Sequence, residues 1–263
     1  MKKDKARELT DKALTSLVAA LEAGKSDTLR AYLSAMSRFH RYSFGNLMLI
    51  AMQRPDATQV AGFHTWRKFD RFVRKGEKGI MILAPITNRR KDEDLEPECE
   101  GYEVLGYRAV HIFDVSQTDG EPLPQPEYVA GNPGEFHDRL NTFIASCGIS
   151  LEYSSELTVE GCSSGGKITI RTDLPPAHDF EVRVHELAHE LLHRCEGERA
   201  SKTVRETEAE AVAFVVCHAI GFDAGTACSD YIQLYNGDKD TLAESLQRIQ
   251  STSAAILNAL EAV

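Results

Sequence analysis

The stretch Phe180 to Arg194, FEVRVHELAHELLHR, constrains this chain more than any other. It contains His185-Glu186-Leu187-Ala188-His189, an H-E-x-x-H pattern whose chemistry requires a helix. Residues four apart on a helix sit one above the other, with Cβ atoms about 5–6 Å apart. Two imidazoles at that spacing can grip one ion, and Zn²⁺ is the usual occupant. Glu186 lies about 100° round the helix from His185, given roughly 3.6 residues per turn. That places it beside an ion, where its carboxylate could take a proton from bound water instead of ligating. Val184, Leu187, Ala188, Leu191 and Leu192 supply the apolar surface expected to seat this helix in a core.

A catalytic zinc needs a third protein ligand and an open position. His193 continues the 185/189 stripe, but eight residues of helix from His185 is about 12 Å, too far to share the ion. Cys195 stands six residues beyond His189, without the glycine that would bend the chain back. The downstream segment RETEAEAVAFVVCHAIGF offers Glu206, Glu208 and Glu210. From Ala211 to Ile220 it is apolar nearly all round and reads as a buried helix. Carboxylates leading into a buried helix need partners, since an unpaired buried charge is costly. Glu206 and Glu210 share a face, whereas Glu208 points elsewhere. One of the pair would ligate and the other would hold a ligating histidine from behind, with Glu206 favoured and Glu210 the alternative. Thr203-x-x-Glu206 is also a capping box, in which Glu206 would bond the Thr203 backbone instead. Peptide hydrolysis would need a further oxyanion donor. His218, Tyr231 and Tyr235 are conceivable, and nothing in the sequence selects one.

The formal net charge of −10 conceals an asymmetry. Residues 1–90 hold 18 Lys and Arg against 8 Asp and Glu, leaving 12 against 32 for the rest of the chain's 30 and 40. A basic front joined to an acidic rear suggests two jobs, with a polyanion as natural partner of the front. The 263 residues suit two modest domains or one large one. No apolar run approaches the roughly 18 residues of a membrane span. The opening MKKDKARELTDKALTSL is charged and lacks the apolar core of an export signal. The six cysteines form no C-x-x-C pair, so reduced thiols in a cytoplasmic protein are expected.

Along the front, apolar spacing predicts helices at about 4–23, 28–41 and 43–53. The block AGFHTWRKFDRFVRKGEKGIMILAPI then interleaves Arg67, Lys68, Arg71, Arg74, Lys75 and Lys78 with Phe63, Trp66, Phe69 and Phe72. Cations beside aromatic faces are what sequence-tolerant single-strand binding uses. Spacing alone favours a plainer reading, a structural turn with buried aromatics and solvated cations. Strands are expected at 80–84 and 102–115, with a polar excursion over 88–101 and a Pro- and Gly-rich linker over 119–134. The rear begins with a helix at 135–147 and strands at 149–153 and 167–171. The edge of the strand at 167–171, delivered just before the metal helix, could take an extended peptide by β-augmentation.

NLMLIAMQRPDATQVAGFHTWRKFDRFVRKGEKGIMILAPI resembles the N-terminal single-stranded-DNA-binding domain of ArdC-like antirestriction proteins. VHELAHELLH with RETEAEAVAFVVCHAIGF is similar to their zincin-like metallopeptidase domain, and to ImmA/IrrE-type peptidases. FDVSQT at 113–118 and DYIQLYNGD at 230–238 share the likeness. The resemblance implies an α+β chain: a helical, small-sheet ssDNA-binding domain over 1–118, the linker, and a gluzincin-like domain over 135–263. It implies one Zn²⁺ on His185, His189 and Glu206, with Glu206 as first residue of an E-x-x-A-[DE] segment and Glu210 as the following acid. It implies Glu186 as catalytic base, and Trp66, Arg67, Lys68, Arg71, Arg74, Lys75 and Lys78 on or near a nucleic-acid surface. The expected partners are single-stranded DNA and a protein or peptide substrate, with no membrane. A non-catalytic antirestriction protein with a structural zinc is the alternative. One departure stands out: the family often has Gly-Arg where this chain has Asp70-Arg71, which puts an acid at an expected DNA contact.

Overall fold

A computed structural model describes residues 3–22, 26–89, 102–123, 133–194, 201–222 and 239–262. Two compact units emerge, one of Met1–Ser16 with Gly45–Pro124 and one of Leu17–Phe44 with Gln125–Val263. The third change of unit, after Pro124, falls inside the expected linker. Leu17–Phe44, expected with the front domain, groups with the rear unit instead. Three helices open the chain: α1 (Lys3–Glu22), α2 (Ser26–Arg38) and α3 (Phe44–Gln53).

The first unit is built on β1 (Val60–Gly62), α4 (Phe63–Lys68), β2 (Arg71–Val73), β3 (Ile80–Arg89), β4 (Tyr102–Asp114) and β5 (Thr118–Gly120). One antiparallel sheet has the order β1-β4-β3, and β2 pairs with β5. Ile80 lies opposite Ile112, and both are buried, as are Ile82, Leu47–Ile50 and Trp66. The outer edge of β3 would expose unpaired amides. Two side chains of α3 occupy it: Asn46 exchanges two hydrogen bonds of 2.8 Å with the Leu83 backbone, and Gln53 does the same with Met81 at 2.8 and 3.0 Å. Asn46 and Gln53 are two helical turns apart and meet alternate residues of the strand, matching both periods. Beyond Ala84 the hairpin slips register at Ile86/Thr87.

The second unit holds α2, α5 (Glu135–Ser146), β6 (Ser150–Ser154), β7 (Gly161–Ser163), β8 (Lys167–Arg171), α6 (Pro176–His193), α7 (Lys202–Ala219) and α8 (Lys239–Glu261). Its sheet runs β6-β8-β7, with β6 parallel and β7 antiparallel to β8. The expectation of a free edge at 167–171 is therefore corrected, because β8 is the central strand. Gly165 and Gly166 adopt φ of 59° and 103°, which folds 161–163 back onto β8 and makes β7 the outer strand next to α6.

Helix α6 begins at Pro176, a turn before the apolar stripe, since proline at the first helical position is preorganised for it. Val184, Leu187, Ala188 and Leu192 are buried as expected, while Leu191 is 38% exposed and does not join the core. Helix α7 packs on α6, α2 and α8. Three buried or half-buried polar side chains tie these helices: Glu208 lies 3.7 Å from His193 Nε2 and 3.4 Å from Arg248, whose guanidinium also donates to the Leu192 carbonyl. The spacing of Leu242, Leu246, Ile249, Ile256 and Leu260 forms the inward stripe of α8, an element absent from the expectations above. Among the described residues no helix is long and apolar enough to cross a membrane.

Candidate metal centre and basic-aromatic block

Helix α6 sets His185 and His189 one above the other, and α7 brings Glu206 to them. The two Nε2 atoms are 3.1 Å apart, and Glu206 Oε2 is 3.6 Å from His185 Nε2 and 3.4 Å from His189 Nε2. A tetrahedral ion with bonds of about 2.0–2.1 Å separates its ligands by about 3.3 Å. The three observed separations bracket that value, so the donor set fits one small divalent ion. Burial, followed by the neighbouring imidazole of His189, lowers the pKa of His185 to about 4. Burial likewise lowers that of His189. Both rings are thus neutral at physiological pH, the form that ligates.

Among the described residues this is the one cluster of three such groups. Glu210, one turn along α7, lies outside it and lines an adjoining cleft. The capping-box alternative for Glu206 does not form. Ser201 caps α7 by accepting from Val204 N, and Thr203 lies inside the helix. His193 is held by Glu208 and by the Arg205 carbonyl at 3.2 Å. His218 sits twelve residues past Glu206 on α7, about 18 Å away along the axis, stacked on Phe214. Cys195, Tyr231, Tyr235 and the DYIQLYNGD segment lie outside the described residues.

Glu186 is buried beside the cluster, facing β7. Burial raises its carboxyl pKa to about 7, opposed by a hydrogen bond with Ser163 and reinforced by Glu206 and Glu190. A Cβ on Gly161 would stand 2.6 Å from Val182 and 2.9 Å from the Glu186 side chain. β7 therefore approaches α6 only because that residue is glycine. Gly161 and Ser163 were not anticipated, since the three residues Gly-Cys-Ser of β7 show no apolar alternation to mark a strand. A cleft of about 470 Å³ opens over His185, Glu186, His189 and Glu206, so the arrangement combines a closed three-ligand corner with an open side.

The front block divides into inward and outward residues. Trp66 is 2% exposed, and its Nε1 donates to the Phe113 carbonyl at 2.9 Å. Arg71 is buried too, with its guanidinium bonded to Thr118 Oγ1, the Thr118 carbonyl, the Gly120 carbonyl and the Glu121 carbonyl. Arg74 is exposed but paired with Glu77 and Asp119. Arg67, Lys68, Lys75 and Lys78 are exposed, and Arg67 stacks 4.9 Å over the Phe63 ring. Phe63, Phe69 and Phe72 are 40%, 53% and 57% exposed, contrary to the plainer reading that buried every aromatic.

The FDVSQT motif is the knot behind this block. Asp114 accepts from Thr58 N, Gln59 N and Ser116 N, while Gln117 Oε1 accepts from Asp114 N and its Nε2 donates to the Lys78 carbonyl. Asp70 has φ of 52°, the left-handed conformation that glycine takes without strain and aspartate tolerates. The Gly-to-Asp departure thus has a backbone explanation.

Residues 4–115 match the family model for the N-terminal domain of anti-restriction factor ArdC. Over 98% of its length the chain is 23% identical to an uncharacterized protein of Bacillus anthracis, and over 56% it is 24% identical to an uncharacterized protein of Sinorhizobium fredii. It spans about half the length of these curated relatives, 52% of each. Among solved structures, the antirestriction ArdC protein of plasmid R388 has the same fold. Its Mn(II)-bound form gives a TM-score of 0.56 at 18% identity, covering 96% of this chain and 98% of that one. Its metal-free form gives 0.54 at 19%. The chain thus carries a match to the ArdC N-terminal domain across residues 4–115 and shares the fold of the R388 ArdC protein along nearly all its length.

Proposed function

We propose that the chain is a single-stranded-DNA-binding protein carrying a zinc-dependent, zincin-like metallopeptidase unit, acting in the cytoplasm in an antirestriction role. The observation that carries the peptidase reading is the His185, His189 and Glu206 corner with the buried Glu186 carboxyl at its open side. His185, His189 and Glu206 would hold one Zn²⁺, and Glu210 would support the site from one turn away. The ion would supply Lewis acidity and bring the pKa of water towards about 7. A Mn(II)-bound relative makes manganese the rival occupant.

Glu186 takes the proton of the attacking water at its carboxylate and passes it to the leaving amine. Ser163 holds that carboxylate in place from β7. The outer edge of β7 would align an extended polypeptide across the cleft. In the front unit, exposed Phe63, Phe69 and Phe72 would stack on bases, while Arg67, Lys68, Lys75 and Lys78 neutralise phosphates. Trp66, Arg71 and Arg74 would shape that surface from behind.

Glu186→Gln tests the reading. The expected outcome is full metal content and DNA binding with loss of cleavage of a protein target. Unchanged biological protection by this variant would instead favour DNA occupancy with a structural ion. Single-strand affinity should fall steeply with salt, and a salt-independent interaction would contradict the DNA reading.

A further inference from the structure

The cleft over the metal corner carries an arginine wall. Arg194, Arg205 and Gly165 line it together with His185, Glu186, His189 and Glu206. Its other acids are engaged within the protein. Glu190 accepts from Gly166 N at 2.6 Å, and Glu186 bonds Ser163. Arg194 lies across the glycine turn, where a Cβ on Gly166 would stand 3.0 Å from its guanidinium, and its Nε is 3.9 Å from Glu190.

Arg205 differs. Its backbone is fixed in the first turn of α7, with N–H donating to the Ser201 carbonyl and its own carbonyl 3.2 Å from His193 Nε2. Among the described residues its guanidinium has no hydrogen-bond or ion-pair partner, although its charge reaches His189 and opposes protonation there. The adjoining cleft has the reverse character. That second cleft, about 480 Å³, is lined by Glu160, Glu181 and Glu210 around Val182 and Phe214. A guanidinium without a partner among the described residues, in a cleft shared with the reacting groups, is suited to bidentate capture of a carboxylate.

We propose that Arg205, with Arg194 beside it, forms a carboxylate-binding subsite for the polypeptide. It receives an acidic side chain or a free C-terminal carboxylate while the scissile bond lies over His185 and Glu186. This assignment rests on the peptidase reading for its biological meaning, but the subsite itself is testable without turnover.

The full chain bearing Glu186→Gln is loaded with Zn²⁺ and titrated calorimetrically with succinic acid monohydroxamate and with its neutral carboxamide counterpart. The hydroxamate anchors both probes at the ion, so their difference reads the carboxylate alone. The charged probe should bind about tenfold tighter, roughly 1.4 kcal/mol. Arg205→Met should abolish that preference at unchanged metal content, and Arg205→Lys should restore part of it. Equal binding of the two probes, a preference that survives Arg205→Met, or no binding of either overturns the subsite. Wild-type protein incubated with degenerate peptides, free or amidated at the C-terminus, separates the remaining cases. Cleavage beside acidic residues in both pools assigns the side chain, and cleavage of the free pool alone assigns the terminal carboxylate. Cleavage indifferent to both overturns the subsite's role. No cleavage alongside an intact probe preference removes the peptidase reading and leaves the anion site standing.

Discussion

The two motifs densest in chemically versatile residues use them in opposite ways. In the front block, much of that chemistry is spent internally. The Arg71 guanidinium is bonded to Thr118, Gly120 and Glu121, the Trp66 N–H to Phe113, and the Asp114 carboxylate to three backbone amides. In the rear site, His185, His189 and Glu206 turn acceptor atoms towards one another across 3.1–3.6 Å. Acceptors converge without cost only around a proton or a cation. The difference teaches that residue type marks where chemistry is possible, while the arrangement of donors and acceptors decides whether it faces the protein or a ligand.

The contrast within the front block breaks first, and with the largest effect, at its aromatics. Trp66→Ala should destabilise the front unit by about 3–5 kcal/mol, through the cavity and the orphaned Phe113 carbonyl. Phe72→Ala should change stability by no more than about 0.5 kcal/mol, as an exposed site does, while weakening single-strand binding by about 1–3 kcal/mol. Urea unfolding and fluorescence anisotropy read the two effects, and the reverse ranking would erase the distinction. Arg71→Met comes next. It strands several buried acceptors and should cost roughly 2–3 kcal/mol in urea unfolding, whereas Lys68→Met should leave stability nearly unchanged.

The smallest effect concerns Asp114. Its burial opposes ionisation, but hydrogen bonds from Ser116, Thr58 and Gln59 outweigh it and hold its carboxyl below the usual value. A depressed folded pKa contributes stability above the unfolded value of about 3.9, and that contribution is lost as pH falls through the folded value. Front-unit melting measured between pH 5 and pH 2 should therefore drop more in wild type than in Asp114→Asn. The variant should cost about 1 kcal/mol at neutral pH.

Much of the fold was legible because apolar periodicity survives folding. The opening helices, β3, β4, α5 and both site helices lie near where their spacing puts them. Glu206 was within reach of sequence because it shares a helix face with Glu210 ahead of an apolar run. What decided between capping and clustering was a single side chain, Ser201, which takes the cap two residues before Thr203. The direction of a side chain was not legible. Trp66 and Phe69 stand three residues apart in similar company, yet one is core and the other surface, because β4 passes on one side of α4 only. The outer position of β7 was also hidden, since pairing order depends on the Gly165–Gly166 reversal and not on the composition of Gly161–Ser163.

The central claim is that a cation resolves the convergence of His185, His189 and Glu206. Metal content by inductively coupled plasma mass spectrometry, after dialysis against excess Zn²⁺ and then buffer, tests it directly on wild type, Glu206→Ala and Glu210→Ala. The expected result is about one ion per chain in wild type and Glu210→Ala, and almost none in Glu206→Ala. An ion retained by Glu206→Ala, or lost from Glu210→Ala alone, would contradict it.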